Sequence, residues 1–217
     1  PNVMRMTVKL AKKYGVAVGA HPGLPDREGF GRRYMKVKPE EITNYLVYQV
    51  GALKEFLRIE GMKLQHVIPH GILGTDMLYD EEYAKGVVDF MKEQGTDIIL
   101  SGARDGPTAT GNVVYEMGKK AGLRMGSLFI IDMDYDSKGN LIMTRTHAPV
   151  DVKDRVRRAI RMIKEGKITS IDGKNMDYRA TTILMHSDTP NVRDLLTTLH
   201  SELIREGIEP VPLAEIV

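Results

Sequence analysis

Apolar residues in this chain fall into short runs of strand length that alternate with longer stretches of helical period. Val3, Met6, Val8 and Leu10 recur near helical spacing with lysines between them, and Gly15 suits the position just past a helix end, so a helix feeds the strand Val16 to Ala20. A loop rich in Gly, Pro and charge runs from His21 to Lys38. Pro39 then suits a first helical turn and Glu40 and Glu41 suit its dipole, opening a helix that ends at Gly61. Leu64 to Ile68 is the next strand. Asp80 caps a helix that stops at Gly95, Asp97 to Leu100 is a strand, and a further helix runs from Thr108 to Lys120.

Beyond Gly122, Arg124 to Ile131 is extended, Asp136 to Asn140 is a turn, and Leu141 to Arg145 is a second extended piece. Asp151 caps a helix to Gly166. Ile168 to Ile171 and Asn175 to Tyr178 flank Asp172-Gly173, the signal of a two-residue hairpin. Strand Thr182 to Met185 and a helix from Asn191 to Glu206 close the chain. Strands followed by helices of this length imply parallel pairing with right-handed crossovers, hence an α/β barrel or a doubly wound sheet. Without a Pro/Ser-rich linker or a fixed-period repeat, residues 1–217 read as a single domain.

Composition narrows the classes. Of 217 residues, 42% are hydrophobic and 28% charged, which suits a domain with a full core. Thirty-one Lys and Arg against 29 Asp and Glu leave a formal charge of +2, too balanced to predict nucleic-acid or membrane-surface binding. The absence of Cys excludes thiolate metal sites and cysteine nucleophiles, and fits a reducing, cytoplasmic location. No apolar run approaches the roughly 18 residues that span a bilayer. Because the chain opens on Pro1 inside a helical pattern, its natural start is expected to lie upstream.

The chemistry concentrates at strand ends. Gly19-Ala20-His21-Pro22-Gly23 and Val67-Ile68-Pro69-His70-Gly71 each deliver an imidazole just past a strand on a stiff turn, and His186 follows the last strand in the same way. A neutral imidazole can act as a general base, donate a hydrogen bond or bind a metal. Asp132 and Asp188 are candidate carboxylates that orient a His or take a proton. Gly29-Phe30-Gly31-Arg32-Arg33 joins flexible backbone to two guanidiniums suited to a carboxylate or phosphate. Gly102 to Gly106 offers a weaker anion nest before a helix. His66 reads as a packing residue inside its strand, and His147 and His200 as surface positions. Serine-hydrolase elbows, zincin motifs and dinucleotide fingerprints are all missing.

The runs Val18 to Asp26, Gly29 to Arg33, Tyr48-Gln49-Val50-Gly51-Ala52-Leu53, His66 to Gly71 and His186-Ser187-Asp188-Thr189-Pro190, in this order along essentially the whole chain, strongly resemble the lactam-utilisation (LamB/YcsF) family. The resemblance implies an irregular (β/α) barrel of the glycoside hydrolase/deacetylase type, with about seven strands in the complete protein and the first missing here. It implies the A subunit of a 5-oxoprolinase, which with B and C subunits opens 5-oxo-L-proline to L-glutamate using ATP with Mg²⁺, and it makes a homo-oligomer plausible. It places His21 and His70 in the pocket with Asp132 as catalytic residues, and Arg32, Arg33, His186 and Asp188 in substrate binding, with no metal ligand assigned. Two departures stand out: Ile68 where the family usually has Lys, and Met133 where it has Arg. They leave open a paralogue acting on a related lactam, a stand-alone metal-dependent amide hydrolase or deacetylase using His21, His70 and His186, and a non-catalytic small-carboxylate binder.

Overall fold

The computed structural model describes residues 1–94, 98–102, 112–144 and 146–217, arranged in two compact units. Unit one comprises Pro1–Ser101 and Gly111–Met125 with Val217, and unit two Gly102–Thr110 and Gly126–Ile216. One boundary between them falls within a strand, between Met125 and Gly126. Strands and helices alternate through unit one, and in unit two a hairpin of two strands interrupts the alternation, as the sequence predicts.

Unit one opens with α1 (Asn2–Tyr14), closed by Gly15 at φ 65°, and β1 (Val18–Ala20). Then come α2 (Pro39–Ile59), β2 (Leu64–Val67), a short α3 (Gly71–Asp76), α4 (Glu81–Gln94), β3 (Ile98–Ser101) and α5 (Val113–Lys120). β1 and β2 are parallel with Val18 opposite Leu64, and β2 and β3 are parallel with Val67 opposite Ile99. Asp80 caps α4 by accepting from the Glu82 and Tyr83 amides at 2.8 and 3.3 Å. Ile42, Leu46 and Val50 of α2, Val87, Phe90 and Met91 of α4, Val67 and Ile99 form one buried cluster. Each such side chain contributes about 1.5–3 kcal/mol. On α1 only Val8 is buried, while Val3, Met6, Leu10 and Tyr14 stay exposed.

In unit two β4 (Arg124–Ile130), which begins at the close of unit one, pairs in parallel with β7 (Thr182–Leu184), placing Leu128, Phe129 and Ile130 opposite Thr182, Ile183 and Leu184. Between them lie α6 (Val152–Glu165) and the antiparallel pair β5 (Lys167–Thr169) and β6 (Asn175–Asp177), and α7 (Val192–Arg205) follows. Asp151 caps α6 and Gly166 closes it at φ 64°. Phe129 and Ile131, Val156, Ala159 and Met162 of α6, and Leu195, Leu199 and Leu203 of α7 make this unit's core.

Three local expectations change. The helix α3 is absent from the sequence reading because six residues are too few to show a period. Leu141 to Arg145 is not a strand: Leu141 makes one bridge to Tyr135, and Arg145 lies outside the described residues. The hairpin turns on Ile171-Asp172, with the Gly173 amide bonded to the Ser170 carbonyl and Gly173 at φ 85° as the bulge residue. Asp97, Thr108 to Gly111 and most of the Gly102 to Gly106 nest lie outside the described residues. Among those described, no helix is long and apolar enough to cross a membrane.

Candidate functional site

Within unit one, strand pairing carries on past β1 and β2 into the turns that hold the histidines. The Ile68 amide donates to the Ala20 carbonyl at 2.9 Å and the His70 amide to the Pro22 carbonyl at 2.8 Å, so the two imidazoles are delivered side by side. His21 Nδ1 lies 2.6 Å from the Ile68 carbonyl, His21 Nε2 lies 2.9 Å from His70 Nδ1, and His70 Nε2 lies 2.7 Å from the Phe30 carbonyl. The rings meet edge to face, with centroids 4.8 Å apart.

A proton count follows from this geometry. Both carbonyls only accept, so each requires an imidazole N–H, and the nitrogen-to-nitrogen contact requires a third. Two neutral imidazoles carry two such hydrogens between them. All three contacts can be hydrogen bonds at once only when the pair holds one extra proton.

The loop that supplies Phe30 is folded around a buried carboxylate. Asp26 accepts from the Gly29 amide at 3.0 Å, the Arg33 amide at 3.2 Å and Arg33 Nε at 2.8 Å, and also pairs with Arg33 Nη2. The Arg33 guanidinium brings the Asp26 carboxyl down to about 2, with burial opposing and the Gly29 and Arg33 amides assisting. Arg33, expected to bind substrate, thus has its fork engaged on Asp26. Arg32 lies with its guanidinium 5.3 Å from the Phe30 ring centre. Phe30 at φ 55° and Gly31 at φ 68° give the loop its left-handed bend, and Ile72 donates to the Gly31 carbonyl at 2.8 Å. Gln49 on α2 clamps the other side, accepting from the Gly23 amide at 3.1 Å and donating to its carbonyl at 2.8 Å. Sequence reading assigned Asp26 and Gln49 no role: Gln49 meets Gly23 across 26 residues, and Asp26 meets Gly29 and Arg33 only through the bend of its own loop.

In unit two the ends of β4 and β7 assemble a second centre. Asp132, buried, accepts from the His186 amide at 3.0 Å, from Thr189 Oγ1 at 2.6 Å and from His186 Nδ1 at 3.1 Å. Burial pushes its carboxyl up, but the His186 ring, Thr189 and the His186 amide outweigh that and hold it at about 2. Since the carboxylate can only accept, the Nδ1–H of His186 points at Asp132 and its Nε2 is left to act as an acceptor or base. Asp132 thus bonds the His186 ring. Asp188 is 60% exposed and lies 3.9 Å from His147. His147, read from sequence as a surface position, is instead packed away: its side chain is 3% exposed and its ring centre is 4.5 Å from that of His186. His66 is half-buried, packs against Gly19 and is pushed to a lower pKa by desolvation, whereas His200 is exposed.

The two departures keep their backbone contacts. Ile68 holds His21 through its carbonyl, whatever its side chain. Met133 is buried and its carbonyl accepts from Arg155 Nη1 at 3.0 Å, while Arg155 and Arg158 both grip Asp134.

Parallel strands that end in histidine and carboxylate centres define an α/β protein with its polar chemistry on the loops that leave the strands' carboxyl ends. The chain belongs to the LamB/YcsF family, whose model matches residues 1–217. It is 40% identical over 222 residues to the 5-oxoprolinase A subunit of Thermococcus onnurineus, spanning 100% of this chain and 84% of that protein. It is 39% identical to the same-named protein of Pyrococcus horikoshii, and 35% identical over 208 residues to a 5-oxoprolinase A subunit of Pseudomonas aeruginosa. A lactam utilization protein from Thermus thermophilus shares the fold with a TM-score of 0.80 at 36% identity, over 95% of this chain and 81% of that one.

Proposed function

We propose that this chain is the A subunit of an ATP-dependent lactam hydrolase that opens 5-oxo-L-proline to L-glutamate together with B-like and C-like subunits. The names of its relatives support a lactam-directed role, and the word subunit in those names supports partners. The observation that carries the reading in this chain is the His21–His70 pair, whose three contacts are all satisfied as hydrogen bonds only when it holds one positive charge. Such a pair suits an anionic group, and the substrate of this reaction carries a carboxylate.

In this reading His21 and His70 hold and pass a proton at their shared nitrogen-to-nitrogen contact, and Arg32 on the adjoining loop faces the carboxylate or a phosphate. Arg33 serves the site by holding the loop on Asp26. In unit two, His186 Nε2, oriented through Asp132, is a base for water, and Asp188 borders that centre. ATP with Mg²⁺, when bound, would supply phosphorylation of the lactam oxygen, which makes the otherwise poorly electrophilic lactam carbon open to attack by water. The residues that fit a phosphate are Arg32 and the charged pair, and none of the proton steps above passes through the nucleotide.

The test is glutamate release from 5-oxo-L-proline by the full chain mixed with B-like and C-like subunits, with and without ATP. Turnover is expected only with ATP and both partners, and His70→Ala is expected to lower it about 10²–10⁴-fold, the range for removing a general acid or base. ATP-independent turnover by the chain alone, or an unaffected His70→Ala complex, would overturn the proposal.

A further inference from the structure

Asp132, His147 and His186 each offer a ligand atom, and the three atoms lie within 4.8 Å of one another. Two are already explained: Asp132 orients His186, and the carboxylate is satisfied by Thr189 and the His186 amide. His147 is not. Its side chain is 3% exposed, yet its Nε2 is buried with no hydrogen-bond partner among the described residues. The nearest acid, Asp188 Oδ1, stands 3.9 Å away, beyond hydrogen-bond reach. Leaving a buried polar group unpaired costs about 1–3 kcal/mol, so an imidazole held this way beside a carboxylate and a second imidazole calls for a missing partner.

The donors identify that partner's chemistry. Two imidazoles and one carboxylate match the ligand preference of a borderline divalent cation of the zinc type, whereas Ca²⁺ and Mg²⁺ favour all-oxygen shells. Three protein ligands leave one position open, which is the arrangement of catalytic rather than structural zinc sites. Thr189 and the His186 amide, bound to Asp132 Oδ2, would keep the carboxylate ionised and aimed, as groups behind a metal ligand do. Ligand atoms on one tetrahedral ion lie about 3.4 Å apart, so side-chain rotations of roughly an ångström close the set. Asp188, exposed, lies 3.9 Å from His147 Nε2 beside the set.

We propose that Asp132, His147 and His186 bind one zinc-type divalent cation in unit two. This site differs from any built on His21 and His70, but it shares Asp132 and His186 with the lactam reading and so deepens that reading's second centre; cation binding is read without turnover, which keeps the two failures distinguishable.

The experiment is a Co²⁺ titration of the chelator-treated full chain, followed by visible absorption and then by Zn²⁺ competition. Saturation at one Co²⁺ per chain is expected, with the d–d bands of a nitrogen- and oxygen-ligated ion, bleached by one equivalent of Zn²⁺. His147→Gln and Asp132→Asn are each expected to weaken Co²⁺ binding about 100-fold or more, and His200→Gln, on an exposed helix face, to leave it unchanged. Because Asp132→Asn can also loosen the fold, proton NMR of the Co²⁺-loaded wild type provides a second reading, with two paramagnetically shifted imidazole N–H signals expected among the six histidines. Failure to saturate at one equivalent, binding unchanged in a folded His147→Gln, loss in His70→Gln in its place, or no shifted imidazole signals would overturn the proposal.

Discussion

The proton shared between His21 and His70 is a matter of single atoms. Three contacts of 2.6, 2.9 and 2.7 Å demand three N–H hydrogens where two neutral rings supply two. Long-range ¹H–¹⁵N spectra at neutral pH are expected to show one ring with both nitrogens protonated, or two rings averaging one and a half hydrogens each. Two singly protonated neutral rings would refute the count. Asp26 provides a second residue-scale outcome. Its carboxyl is held at about 2 in the folded chain against an ordinary 3.8, so the folded state binds this proton less readily than the unfolded one. The stability it contributes is fully present above the ordinary value and is lost as pH falls from about 4 towards 2. Acid titrations of unfolding are expected to show a shallower loss across that window in Asp26→Asn than in the parent, because the variant has no carboxyl there to protonate. Neither residue's role was legible in the sequence: His21 and His70 stood out by their turns, but not their 49-residue contact, and the carboxylate that folds the Gly29 to Arg33 loop had no local mark.

At the scale of elements, two glycines with the same helical propensity act in opposite senses. Gly86 on α4 lies where a Cβ would come within 2.6 Å of Ile42 Cβ and 2.8 Å of the Pro39 carbonyl, so α2 and α4 pack backbone to side chain. Thr43 Oγ1 adds a bond to the Gly86 carbonyl at 3.0 Å. Replacing Gly by Ala in a helix gains about 1 kcal/mol of propensity, but overpacking a core costs about 1–3 kcal/mol. Since the obstacles here are backbone and the root of a β-branched side chain, the cost wins. Denaturant titration is expected to find Gly86→Ala destabilised by about 1–2 kcal/mol. Gly51 on α2 has open space where its Cβ would go, and Gly51→Ala is expected to stabilise by about 0.5–1 kcal/mol in the same titration. The elements themselves were readable: β4 and the helices α2, α6 and α7 begin and end within about two residues of their predicted bounds, the usual uncertainty of helix and strand ends. Helix caps at Asp80 and Asp151 and stops at Gly15 and Gly166 were readable too, because a cap acts on its own first turn.

For the molecule as a whole, the family match runs from residue 1 to 217 and the relatives carry a subunit's name, so turnover is a property expected of the complex. The sequence by itself determined the alternation of strand and helix, the parallel α/β class, the family, and the placing of His21, His70, Asp132 and His186 at strand ends. Those follow from hydrophobic period, turn residues and caps, all of which act over a few neighbouring residues. Only the tertiary structure decided which of these groups meet: that His70 bonds His21, that Arg33 is held by Asp26, that Asp132 bonds His186 across 54 residues, and that His147 is buried beside them. His147 follows a polar segment with no periodicity, and its burial comes from packing against residues far along the chain, which no local pattern encodes.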